Sequence, residues 1–150
     1  MLAKWLSNLK WALLLAIVAG PAFAYFSYTE AQTLKRVVAE GVEATAIVDG
    51  GESRSGRRSG TTYKIHAIWT DQAGAERAEN ITISSEYAGK IIEDDFLLIE
   101  SVVVKYLASD PSVPAVVAED APTQIADKEL MMWLGVGGGV IGVIGSAVFF

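Results

Sequence analysis

WALLLAIVAGPAFAYFSYT, residues 11–29, and LMMWLGVGGGVIGVIGSAVFF, residues 130–150, decide how this chain folds. Neither stretch holds a charged side chain, and every Asp and Glu lies between them. Each approaches the roughly 20 apolar residues that cross a hydrocarbon core about 30 Å thick. The fold class this predicts is an α+β membrane protein, with two transmembrane helices flanking a small antiparallel β-sheet or barrel-like domain. The expected divisions are a cytoplasmic tail (1–10), a first transmembrane helix (11–29), a helical stalk (30–41), a β-domain (42–118), a linker (119–129) and a second transmembrane helix (130–150).

Both spans carry small residues at helical spacing. Ala12, Ala16, Gly20 and Ala24 recur every four positions, and Gly135, Gly138, Gly142 and Gly145 form a second stripe. Small residues let two helix backbones approach closely in lipid, so these stripes are expected to pack on each other or to mediate homo-oligomerisation. Trp11, Tyr25 and Tyr28 are placed as interfacial anchors. Lys4, Lys10, the apolar run and Ala22-Phe23-Ala24 also read as a secretory signal cleaved after Ala24. The unbroken apolar and helical pattern beyond Ala24 favours an uncleaved anchor. In both cases the basic tail stays inside and the acidic middle is exported, although Lys35 and Arg36 offset Lys4 and Lys10 in the positive-inside balance.

All 18 acidic residues, but only 10 of the 12 Lys and Arg, fall between Glu30 and Glu129, so this stretch is more acidic than the chain's formal charge of −6. Such a balance argues against nucleic acid as a partner, because phosphate contacts need accumulated cationic side chains. The absence of cysteine excludes disulfides, thiolate nucleophiles and Cys-based zinc sites.

Between the spans the hydrophobic period changes. Leu34, Val37 and Val38 continue a helix that Gly41 stops. Ala44, Ala46 and Val48 then alternate with polar residues in a strand that Gly50-Gly51 is expected to end. Tyr63, Ile65, Ala67 and Trp69 give the clearest strand, and Asp71-Gln72-Ala73-Gly74 turns into a third ending near Ile83. A fourth, over 97–107, reads as apolar on both faces and therefore central. Residues 115–118 supply a short closing edge, 84–93 reads equally as helical turn or loop, and 118–127 reads as a linker.

Candidate sites are few. Residues 50–60 read as a long, mobile hairpin loop whose Arg54, Arg57 and Arg58 suit anionic lipid headgroups, each worth about 1 kcal/mol near the surface. His66, the single histidine, lacks an evident carboxylate partner and reads as a surface strand residue. Glu93-Asp94-Asp95 reads as a solvated loop without calcium-ligand spacing. Ser53, Ser55 and Ser59 have no triad around them, and Asn80-Ile81-Thr82 is a chance acceptor triplet. No catalytic residue, metal ligand or cofactor is assigned.

The order Gly41-x2-Ala44-Thr45-Ala46-Ile47-Val48, Tyr63-x-Ile65-x-Ala67-x-Trp69, Val102-Val103-Val104-Lys105-Tyr106-Leu107 and Asp110-Pro111 before a terminal span resembles a bacterial membrane-protein family known only as a domain of unknown function, DUF3592. The chain departs from that pattern at Glu100-Ser101, where the family commonly has glycine. The resemblance implies a small β-domain beside one or two spans, and no activity. The expected role is that of a non-enzymatic, membrane-anchored interaction module in a cell-envelope assembly, two-pass in the bacterial cytoplasmic membrane with its β-domain periplasmic or extracellular. Its expected partners are membrane lipid and either another protein or further copies of itself through the spans. Two alternatives are a lipid- or ligand-binding module using the arginine loop and, with less support, a hydrolase.

Overall fold

The computed structural model describes residues 2–56, 60–94 and 96–149. In chain order these form α1 (Leu2–Glu40), β1 (Val42–Gly56), β2 (Gly60–Thr70), β3 (Glu76–Ile83), α2 (Ser85–Ile91), β4 (Ile92–Glu93), β5 (Phe96–Leu97), β6 (Ser101–Tyr106), β7 (Val116–Val117) and α3 (Ala121–Phe149). The protein is α+β, with two long apolar helices flanking a curled, antiparallel five-stranded sheet. It divides into two compact units, one built from the apolar lengths of α1 and α3 and the other covering Thr33–Ile125.

In the helical unit, Trp11–Glu40 and Ala121–Ala147 are each long and apolar enough to cross a membrane. The helices run antiparallel in van der Waals contact along glycines. A Cβ added to Gly20 would lie 2.7 Å from the Gly139 nitrogen and 2.8 Å from the Gly135 oxygen, and one on Gly135 would lie 2.8 Å from the Ala24 nitrogen. Only hydrogen fits between backbones at such distances. Farther along, Gly142 meets the Ile17 backbone and Gly145 meets the Leu13 side chain. α1 continues through Pro21, whose ring rests against Gly139. Ser146 Oγ donates to the Gly142 carbonyl at 2.8 Å, which satisfies a hydroxyl on an otherwise apolar stretch of helix. Lys128 Nζ lies 2.5 Å from Glu30 Oε2, joining the helices by a charge pair.

In the second unit, α1 ends where a side chain no longer fits. A Cβ on Gly41 would fall 2.1 Å from the Val37 carbonyl oxygen, which accepts the Gly41 N–H at 2.9 Å. The sheet order is β3-β2-β1-β6-β7. Strict alternation on β2 buries Ile65, Ala67 and Trp69, and these pack with Ala46, Val48, Ile81, Ile83, Val102 and Val104 on one face of the sheet. The sheet curls until its edges meet, so that the Ala115 N–H donates to Glu79 Oε2 at 3.4 Å. α2 covers the core with Tyr87, Ala88 and Ile91. Its cap is Ser84, whose Oγ accepts the Tyr87 N–H at 3.1 Å, and Glu86 and Lys90 lie in its first and last turns as the helix dipole favours. A smaller cluster of Val37, Leu107, Val116 and Ala121 closes the base.

The structure differs from the sequence reading in four places and decides a fifth that the reading leaves open. Gly50-Gly51 does not end β1, because the strand absorbs an extra residue in a bulge between Val48 and Gly50 and continues to Gly56. The supposed loop of residues 50–60 is thus mostly a two-stranded ribbon closed by Gly56 opposite Gly60. The segment 84–93 is resolved as α2 followed by β4. The fourth strand divides into β5 and β6, and β6 has one solvent face, on which Val103 is 45% exposed. Finally, the expected linker is helical from Ala121 onward, since Pro122 falls in the first turn of α3, where its missing N–H costs nothing.

Candidate functional site

The bulge in β1 determines which side chains meet. Before it, Ile47 lies opposite Ile68 on the outer face and Val48 opposite Ala67 on the inner. After it, Gly50 lies opposite His66, Glu52 opposite Lys64 and Arg54 opposite Thr62. The inserted residue is Asp49. Because alternation is reset by one position, Asp49, Gly50, Glu52 and Arg54 gather on the outer face, whereas Ser53 and Ser55, opposite Tyr63 and Thr61, turn to the other.

Asp49 Oδ1 is hydrogen-bonded to His66 Nδ1, and the two are partly exposed. Asn80 lies opposite His66 on β3, and together with Glu52 and the glycines these residues line a recess of about 400 Å³. The histidine thus has the carboxylate partner that the sequence did not reveal. The missed signal was the glycine pair, read as a strand end. A carboxylate on Nδ1 fixes the ring and leaves Nε2 as the remaining nitrogen, an arrangement found in metal ligands and general bases. A hydrolase would also need a nucleophile. The register places Ser53 and Ser55 on the opposite face from His66, and Ser59 lies outside the described residues. Among the described residues no group of three His, Asp or Glu is arranged to hold a metal.

Of the arginines, Arg54 is an exposed strand residue beside Glu52, Thr62 and Lys64, while Arg57 and Arg58 lie outside the described residues. Asp94, at φ +49°, turns β4 into β5, and Asp95 lies outside the described residues. Of the stripe residues, Gly20, Gly135, Gly142 and Gly145 stand at close approaches between α1 and α3. Ala12 is exposed and Ala16 half-buried, and nothing lies within 4 Å of a Cβ added to Gly138. The contact passes instead through Gly139, and on α1 through Leu13, Ile17 and Pro21.

Two carboxylates elsewhere stand out. Asp120 is 1% exposed and accepts hydrogen bonds from the Ser84 N–H at 2.7 Å, from Ser84 Oγ and from Gln124 Nε2 at 2.8 Å. These donors compensate its burial. Glu79, by contrast, is pushed above the usual carboxylate range by burial, only partly offset by the Ala115 N–H and Arg77. Asp71 is held below that range by Arg77, whose Nε donates at 2.9 Å, and by the Ala75 and Ala73 amides of the turn.

No protein-family model, no curated protein and no solved structure matches the chain.

Proposed function

We propose that this protein is a two-pass membrane protein whose β-unit acts by binding another protein in a bacterial cell-envelope assembly, without catalysing a reaction. The observation that carries the reading is the outward surface of the helical unit. Leu15, Val18, Ile141 and Ile144 are each more than 60% exposed, an apolar surface that water does not tolerate and lipid does. On the β-unit, Ile47 (63% exposed) and Val103 (45%) lie on adjacent strands of the outer face, with Ile68 beside Ile47. An apolar row on a sheet whose other outer residues are polar suits a protein contact. The β-unit is assigned to the periplasmic or extracellular side, and the family resemblance supplies the bacterial setting.

A photo-crosslinking residue at Ile47, activated in intact membranes, is expected to capture a protein partner or a second copy. Recovery of monomer and lipid alone would overturn the reading. Reporter fusions after Asp49 and Phe150 test the sidedness, and activity of the first fusion only in the cytosol would reverse it. A second reading, anionic-lipid binding through Arg54, Arg57 and Arg58, is favoured by the exposure of Arg54 on a projecting ribbon. Flotation with anionic vesicles separates the two, because unchanged binding after all three arginines become Ala removes the ribbon from consideration.

A further inference from the structure

A cleft of about 390 Å³ opens within the β-unit between the root of the β1–β2 ribbon, α2 and the β4–β5 hairpin. Its size falls within the range of small-ligand pockets. Three observations describe what would fill it. The first concerns Gly89, inside the seven-residue α2. Glycine destabilises a helix interior relative to alanine, and a helix this short has little to spare. Packing does not require it, because a Cβ there would meet nothing within 4 Å. What its missing side chain does is leave the cleft open, as Gly51 does on the opposite wall, where a Cβ would meet only the Lys64 oxygen, at 3.7 Å.

The second observation is charge. Asp94 lines the cleft, and its carboxylate has no ion-pair or hydrogen-bond partner among the described residues, while Glu52 borders the cleft from the outer face of β1, where it lies opposite Lys64. Among the described residues no Lys or Arg contributes to the lining. The third is an aromatic and apolar floor. Tyr63, placed on this face by the alternation of β2, and Leu97 supply a flat ring and a greasy patch, with the Ser53 and Ser85 hydroxyls beside them. A carboxylate at a rim with an aromatic ring below matches an ammonium group, through ion pairing and cation–π attraction, and the apolar floor matches a hydrocarbon body.

We infer that this cleft binds a small organic amine, a protonated ammonium group carried on an apolar body. It is a ligand site distinct from the protein-binding face proposed above, and neither depends on the other. The test uses the full-length protein in nanodiscs and a matched pair of probes, phenethylamine and the anion hydrocinnamate, followed by amide chemical shifts. Phenethylamine is expected to move Gly51, Tyr63 and Gly89, and hydrocinnamate is expected to leave them in place. Asp94→Asn weakens the amine about threefold to fivefold, the scale of one partly exposed ion pair. Gly89→Leu abolishes binding. Gly89→Ala, the milder variant, raises the melting temperature and lowers affinity, opposite movements that a purely structural glycine would not produce. Equal binding of the anion, no response to the amine at millimolar concentration, or undiminished amine binding in Gly89→Leu overturns the proposal, as would calcium moving the same amides when the amine does not.

Discussion

The helical unit and the β-unit are held together by opposite means. In the first, the contacts that matter are made by residues with almost nothing to bury: Gly20, Gly135 and Gly142 bring backbone against backbone. In the second, Ile65, Val104 and Ile81 are fully buried aliphatics, and hydrophobic transfer from water supplies the stabilisation. With the first unit in lipid, as proposed above, the contrast follows from solvent. Lipid tails are as apolar as leucine, so a membrane helix gains little by hiding leucine and much by close approach. A water-facing sheet gains by hiding it. Enlarging a side chain should therefore damage the first unit, and shrinking one should damage the second.

The largest effect is expected from Ile65→Ala, at about 2–5 kcal/mol, because the curled sheet cannot collapse into the void. Chemical denaturation should show it as an earlier transition for the β-signal while helical ellipticity persists. If both signals shift together, the two units unfold as one and the comparison fails. Next, Gly135→Leu should cost roughly 1–3 kcal/mol through overpacking. A cysteine pair at positions 13 and 145 is expected to form a disulfide in the parent and to lose it in this variant. Gly138→Leu, on a position that touches nothing, should leave the crosslink intact, and its loss there would restore Gly138 to the interface.

Smaller again is Asp120→Asn, at about 1–2 kcal/mol, since one donor loses a charged acceptor and another faces an amide. Faster hydrogen exchange at Ser84 and Tyr87 would report it. The smallest effect is pH-dependent. Glu79 is raised in the folded state, so folding favours its proton, and its charged form is a liability at neutral pH. Glu79→Gln should melt higher than the parent at neutral pH, and the gap should close as pH falls through the raised value. Asp71 is lowered and acts in the opposite sense, contributing stability that is present above the ordinary carboxylate range and lost as acid protonates it. Melting curves of Glu79→Gln and Asp71→Asn against pH should therefore diverge from the parent in opposite directions above pH 5 or so.

Where one face of an element is buried, its sequence announced it. Ile65, Ala67 and Trp69 alternate visibly, and the turn at Asp71 to Gly74 carries its own signature, with Gly74 at φ +80°. What the sequence concealed were positions at which one residue type serves two ends. Gly50-Gly51 reads as a terminator, but it is the flexible joint of a bulge, and only the pairing partner on β2 distinguishes the two. In Gly137-Gly138-Gly139 any member can face a neighbour; the ring of Pro21, far away in sequence, selects the third. The run of residues 119–129 reads as a linker because of Pro122 and its acidic residues, although its backbone begins α3. The cleft escaped notice because its walls come from three separate segments and its most telling residue is a glycine in a helix too short to show a period.

The carboxylate of Asp120 has a consequence for leverage. It grips the cap of α2 with both oxygens and stands immediately before the first residue of α3. A twist that winds or tilts that opening turn must drag Ser84 along with it or release it, and α2 carries one wall of the cleft. As long as that grip holds, a torque on the beginning of the last helix is passed to the wall of the pocket, and a guest lodged there would resist the same rotation.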